Sequence, residues 1–411
     1  MAGADPISEA ELSYIWQGQR YPPGALSAAA GPVRVLFPGR RAGGPGPDYR
    51  DAVIEVAGRQ YRGDVELHVR ASGYLQHGHH LDPAYDGLVL HVVFEDDAEG
   101  WSPLPCGERV PVAAFAPWVR ARSEDIAAWL TAPPLWREPC QGAAARLGGE
   151  RVRAAVRAAA EARFRARAHL LGAAVAREGE GEALWQALLE ALGYGGDRQG
   201  FVRLARALPA ALLREVTRGA FDAEAEAGAR SALLAVAGLG PAPVSPGAGL
   251  CLPPALSPPL RPARGRPANR PETRLAAAAC LFVRLAPDLP SNALASVTAA
   301  EDARSLLAAW TVPARPGRGV AALGRARASE LLLNAVLPFT AALRPDLLPR
   351  CLELAAGLPS LPPYGKTAFL EANLAPAPGR RPVQGALDQQ GLLALHAEWC
   401  SRGGCGRCPL S

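Results

Sequence analysis

Between residues 61 and 69 (YRGDVELHV) the side chains alternate strictly, with Asp64, Glu66 and His68 on one face and Val65, Leu67 and Val69 on the other. That period of two predicts a β-strand with one apolar and one ionisable face. AVIEV (52–56), closed by AGRQ, precedes it, so the pair reads as a hairpin. VRVLFPG (33–39) is a β-branched run ended by Pro-Gly, LVLHVVFED (88–96) an apolar strand of the kind buried in a sheet, and RVPVAAF (109–115) one strand more. Before them, SEAELSYIWQG (8–18) opens with Ser8 and Glu11 in capping-box spacing and sets Leu12, Ile15 and Trp16 on one helical face. HGHHLDPAY (77–85) is expected as a helix or loop between two strands.

From about residue 124 the period changes from two to that of a helix. SEDIAAWL (123–130), a long arginine-studded stretch at 148–175, and the segments 180–194, 200–209 and 225–240 read as amphipathic helices. Residues 241–272 are rich in Pro and Gly and read as a linker or extended surface loop. Helices resume at 273–287, 298–311, 325–343 and 345–357, and a last one precedes a terminal cysteine cluster. The expected class is therefore α+β. A mixed sheet domain spans 1–122, a helical domain 123–240, the linker 241–272, and a helical domain 273–411.

Composition changes this picture little. The chain of 411 residues has 49% hydrophobic and 20% charged residues, as an ordinary globular protein has. No apolar run reaches the roughly 18 residues that span a bilayer, and no secretory signal opens the chain, so a cytoplasmic protein without a membrane partner is expected. The net charge of +5 is carried almost wholly by arginine, Lys366 being the one lysine. A high-GC genome accounts for that bias, and it argues weakly for nucleic acid. Gly365-Lys366-Thr367 is not a phosphate-binding loop, because Ser360 stands where the first glycine belongs.

The chemistry concentrates between Gly46 and Glu95. Five of the seven histidines fall there (His68, His77, His79, His80, His91), with Asp48, Asp64, Glu66, Asp82 and Asp86. Such a gathering suits a divalent metal or acid–base work. One reading makes Asp48, Glu66 and His68 the site. Another makes His77 and His79 ligands with His68, Asp82 or His91, for Zn²⁺ or another transition metal. Against both, His91 reads as a core histidine, and Asp82 and Asp86 as turn caps. At the other end, Cys400, Cys405 and Cys408 lie within nine residues, and such a thiolate set wraps one ion if a fourth ligand joins. Cys140 is the first choice, with His396 as the local alternative; Zn²⁺ and a [4Fe–4S] cluster both stay open.

The motifs IW (15–16), GPD (46–48), GDVELH (63–68), HGHHLDPAYDGLVLHVV (77–93), EALGY (190–194), LARALP (204–209), RPANRPETRLA (266–276) and LLLNAVLPF (331–339) resemble those of a bacterial family known as domain of unknown function 2851. With the terminal Cys-x4-Cys-x2-Cys they extend over essentially the whole chain; Tyr74 stands where that family pattern leads one to expect tryptophan. The resemblance implies no activity. The order helix, strand, Asp48, strand, Glu66-x-His68, helix, strand in turn resembles the PD-(D/E)XK nuclease core. That likeness implies a metal-dependent phosphodiesterase or nuclease acting on DNA or RNA, with Asp48 and Glu66 holding Mg²⁺ or Mn²⁺. His68 stands where that superfamily has lysine, and a histidine carries no permanent charge. The alternatives are a nucleic-acid-binding protein with a degenerate core, and an interaction scaffold with a structural metal. The expected metal residues are Asp48, Asp64, Glu66, His68, His77, His79, Asp82, Cys140, Cys400, Cys405 and Cys408.

Overall fold

A computed structural model describes residues 7–42, 46–116, 119, 123–133, 138–220, 222–241, 251–261, 270–312, 323–375, 383–402, 404 and 407–411. They divide into two compact units. Unit 1 comprises 1–155, 364–382 and 393–411, and unit 2 comprises 156–363 and 383–392. This division differs from the expected boundaries at 122, 240 and 272: both units are discontinuous, and the first boundary falls inside the helix Gly149–Glu178. Of the expected linker, 251–261 is described, without helix or strand, whereas 242–250 and 262–269 lie outside the described residues.

Unit 1 opens with helix α1 (Glu9–Gly18), whose capping box forms as expected: Glu11 N–H donates to Ser8 Oγ, and Ser8 N–H donates to Glu11 Oε2 at 2.9 Å. The strands follow as β1 (Leu26–Ala28), β2 (Gly31–Phe37), β3 (Arg40–Arg41), β4 (Tyr49–Val56) and β5 (Arg59–Arg70). The β4–β5 hairpin turns on Ala57 and Gly58, both with positive φ, as a two-residue turn that matches strand twist requires. A one-turn helix α2 (Gly73–Gln76) and two 3₁₀ turns (His79–Leu81, Pro83–Tyr85) lead to β6 (Leu88–Glu95), then β7 (Trp101–Pro103) and β8 (Arg109–Phe115).

The sheet order is β1-β2-β4-β5-β6-β8-β7, and β1 also pairs with β8, closing six strands into a barrel. Strands β2, β4 and β5 run antiparallel to their neighbours in turn, whereas β6 is parallel to β5 and β8 parallel to β6. One face of the sheet packs on Leu12, Ile15 and Trp16 of α1, and collects Ile54, Val65, Leu67, Leu90, Val92 and Phe115 into the main core. The other face buries Val93 and Val112 in one small cluster and packs Val110 with Tyr74 and Tyr85 of the β5–β6 crossover in another. The strand that alternates apolar and ionisable residues is thus buried on both faces from Val65 to His68.

Unit 2 is helical. Its described helices include Glu180–Gly193, Arg198–Ala207, Ala210–Val216, Pro271–Leu285 and a run from Arg325 to Leu343 with a π-helical stretch at Leu332–Val336. The helix expected at 298–311 is shorter, Ala303–Ala309, because Asp302 and Ser305 form a second capping box that starts it there, and Leu289–Thr298 before it is a helix not expected from the sequence. Arg157, Arg163 and Arg167 of the long helix are committed within this unit to Asp388, Gln390 and Glu190. No helix among the described residues is long and apolar enough to cross a membrane.

Candidate functional site

The second face of the sheet carries the ionisable residues. Glu66 and His68 lie two apart on β5, so the pleat points them the same way, and the parallel register sets His91 of β6 opposite Glu66. The crossover from β5 to β6 then folds over this patch and delivers Tyr74 from α2 and His77 and His79 from the turns that follow. His68 (2% exposed) and His91 (0%) are buried, His79 is half-buried and His77 is exposed.

Four groups form a row. Ser102 Oγ lies 2.8 Å from His91 Nδ1, His91 Nε2 lies 3.0 Å from His68 Nδ1, and His68 Nε2 lies 3.1 Å from His77 Nδ1. His68, His77 and His79 each offer a ligand nitrogen, and these atoms all lie within 4.8 Å of one another, a set able to hold a metal ion. His79 Nε2 is also 3.3 Å from Glu66 Oε1, and its ring stacks on Tyr85 at 4.2 Å. Asp48, just before β4, joins from the neighbouring strand: its N–H donates to Glu66 Oε2 at 2.9 Å, and its Oδ2 accepts from Leu67 N–H at 3.1 Å.

Burial sets the protonation states. It is the main cause, with the charge of Asp48 second, pushing the Glu66 carboxyl up to about 8. Burial likewise raises Asp48 and Asp64. It pushes His68 and His91 each down to about 3, helped by neighbouring imidazoles, and lowers His79. At neutral pH Glu66 is therefore a protonated carboxyl beside the neutral imidazoles of His68 and His91. Tyr74 is fully buried among His79, His91 and Tyr85, its hydroxyl finds no hydrogen-bond partner among the described residues, and its pKa is pushed up to about 12. A buried hydroxyl without a partner is costly.

The structure thus brings together Asp48, Glu66, His68, His77 and His79 among the expected residues. Asp64 stands apart, at a register shift where its Oδ1 accepts from Asp51 N–H at 3.3 Å. Asp82 caps the second 3₁₀ turn, its Oδ1 accepting from Ala84 N–H at 2.9 Å, and Asp86 Oδ1 accepts from Cys106 N–H at 2.8 Å. Two participants, Tyr74 and Ser102, escape sequence reasoning, and a third, His91, has a role beyond the ligand or core residue expected. His91 is a core histidine as expected, yet it is also the link between His68 and Ser102; Tyr74 and Ser102 carry no spacing signal at all. Among the cysteines, Cys140, Cys400 and Cys408 line one cavity, and Cys405 lies outside the described residues.

Residues 9–239 match the family described as protein of unknown function (DUF2851). The chain belongs to that family. No curated protein and no solved structure matches the chain. Within the matched span lie Asp48, Glu66, the histidine cluster, Tyr74 and Ser102, whereas Cys400 and Cys408 fall beyond it.

Proposed function

We propose that this protein is a divalent-metal-dependent hydrolase of phosphodiesters, with nucleic acid as its substrate class. The observation that carries the reading is the convergence of His68, His77 and His79 beside the Glu66 carboxylate. The order α1, β2, β4, β5, α2, β6, with three antiparallel strands and then a parallel one, supports the likeness to the PD-(D/E)XK core. In this reading Asp48 before β4 and Glu66 on β5 would take the two acidic positions of that pattern, and the Asp48 backbone N–H donates to Glu66 Oε2.

The donors fit a metal. Imidazole nitrogens favour Zn²⁺ or another borderline ion, and the Asp48 and Glu66 oxygens extend the choice to Mn²⁺ or Mg²⁺. His68, His77, His79 and Glu66 would hold the ion, with Asp48 at its edge. When bound, it supplies positive charge for a phosphoryl oxygen and lowers the pKa of a water. The chain's own residues do the rest. Glu66 gives up its proton near neutral pH, so it can enter the site as a carboxylate ligand once that proton has left. His68 is fixed by His91 and Ser102 behind it, so its ring orientation is set before a substrate arrives. Tyr74 Oη is the spare donor for an anionic oxygen.

Incubating the metal-stripped protein with single- and double-stranded DNA and RNA plus Mg²⁺, Mn²⁺ or Zn²⁺ tests this. Cleavage should appear with at least one ion and drop by about a hundredfold or more in Glu66→Ala, because losing even a partner of a metal ligand costs roughly ten- to a hundredfold. Equal, negligible turnover of wild type and variant, with nucleic acid still bound, would leave the degenerate binding protein as the better reading. No binding at low salt leaves the interaction scaffold.

A further inference from the structure

Outside the histidine cluster, cysteines distant in sequence come together around one cavity in unit 1. Cys140, on the turn before the helix Ala143–Leu147, lines the same cavity as Cys400 and Cys408. The other walls include the apolar side chains Leu370, Leu395, Trp399 and Leu410. Cys140 and Cys400 are buried, and Cys408 is half-buried. The backbone is shaped for this meeting. Arg402 N–H and Gly404 N–H both donate to Trp399 O, and Ser411 N–H donates to Cys408 O, so the tail coils back on itself. A Cβ at Gly404 would press on the Trp399 carbonyl and ring, at 3.0 and 3.1 Å, so that coil needs the glycine. From the other side, Gly142 N–H donates to Asn373 O and holds the Cys140 turn in place.

A buried cysteine is ordinarily a small apolar side chain. Cys351 is one, fully buried, with its thiol pushed up to about 12 by desolvation. The cavity cysteines are treated differently. Asn373 Nδ2 donates to Cys140 Sγ at 3.5 Å, and Ser411 Oγ lies 3.2 Å from Cys408 Sγ. The Asn373 hydrogen aimed at Cys140 is what a metal-bound thiolate receives from its surroundings, and the Ser411 hydroxyl is placed to do the same for Cys408. His396, the nearby imidazole, is engaged elsewhere: its Nε2 lies 3.5 Å from Asp51 Oδ2, and its ring meets Phe369 edge-on.

We propose that Cys140, Cys400 and Cys408 hold a thiolate-bound metal centre, a zinc ion or an iron–sulfur cluster, that staples the end of the chain onto the segment around residue 140. Loading it displaces a proton from each thiol. Its role is structural, since the 3₁₀ turn Cys400–Arg402 packs against β4, the strand that follows Asp48.

The test is elemental and sulfide analysis of the full-length protein purified without oxygen, together with thiol alkylation before and after chelation. A His77→Ala/His79→Ala double variant separates the two sites, because it should keep the metal of this centre. Zinc without sulfide identifies a single ion, and iron with sulfide and a broad visible absorption band identifies a cluster. Chelation should raise labelling of Cys140, Cys400 and Cys408 severalfold while exposed Cys106 and Cys251 stay fully labelled and buried Cys351 stays protected, which excludes general unfolding. Cys408→Ser should lose most of the metal. The proposal is overturned if the double variant contains no stoichiometric metal, or if chelation leaves labelling of the cavity thiols unchanged.

Discussion

Glu66 is 5% exposed and lies within reach of the Asp48 amide and the His79 ring, and its folded-state pKa of about 8 has two separate consequences. The first concerns stability. A carboxyl whose pKa is raised on folding stabilises the fold below its unfolded value of 4.5, and that contribution is lost as pH rises towards 8. His68 and His91 are depressed, so their contribution is complete above 6.5 and lost as pH falls towards 3. Between pH 6.5 and 8 Glu66 is the one of these three that acts. Thermal melts in chelator should therefore show falling stability across that window, and Glu66→Gln should flatten the fall. The second concerns loading. An ion must displace the Glu66 proton, so metal affinity should rise about fivefold from pH 7 to pH 8 in wild type, a rise that titration calorimetry on Glu66→Gln should find missing. His68 adds a reporter. Two lone pairs turned towards an ion, on His68 Nε2 and His77 Nδ1, place the His68 proton on Nδ1, where it donates to His91 Nε2. His91 must then donate from Nδ1 to Ser102. The ¹⁵N shifts of His91 should accordingly change on metal addition although its ring does not touch the ion; unchanged shifts would remove His68 from the ligand set.

At the scale of elements, close approach is the governing feature. A Cβ on Gly63 would meet the Gly87 carbonyl and the Val89 side chain where β5 and β6 begin to pair, so Gly63→Ala should cost about 1–3 kcal/mol in denaturant unfolding. Gly73 is a different case. Its added Cβ would come 2.8 Å from His68 Cδ2, and Gly73→Ala should lower metal affinity more than it lowers stability. What could be read from the sequence follows the same physics. The α1 capping box, the β4–β5 hairpin, β6, β8 and most long helices announce themselves through local periodicity and caps. The strands β1, β3 and β7, of three, two and three residues, are too short to show a period and exist through their partners. Asp48, Glu66 and His68 were legible because one hairpin and one strand face hold them. His91 looked like core because the strand around it is apolar, and Ser102 joins the row only because β7 folds alongside β8.

For the whole molecule, the decisive fact is that unit 1 is assembled from three stretches of chain, 1–155, 364–382 and 393–411. No local signal reveals that, since long-range division depends on which surfaces find each other; composition suggested a break at 241–272 instead. A fragment ending at residue 239, where the family match stops, lacks both returning stretches. It should show a weaker, less cooperative near-ultraviolet melt in its sheet region than the full chain, and equal cooperativity would mean that the returning stretches are dispensable.

The discontinuity also sets a schedule during synthesis. The barrel strands leave the ribosome early, but the turn Cys400–Arg402 that packs against β4 is made last. At the usual rate of roughly 5–20 residues per second, on the order of ten to forty seconds separate residue 155 from residue 364. For that interval the nascent chain carries a barrel whose β4 flank lacks its late-made cover, so a molecule released early by truncation would expose that flank as a surface for chaperones or for other unfinished copies.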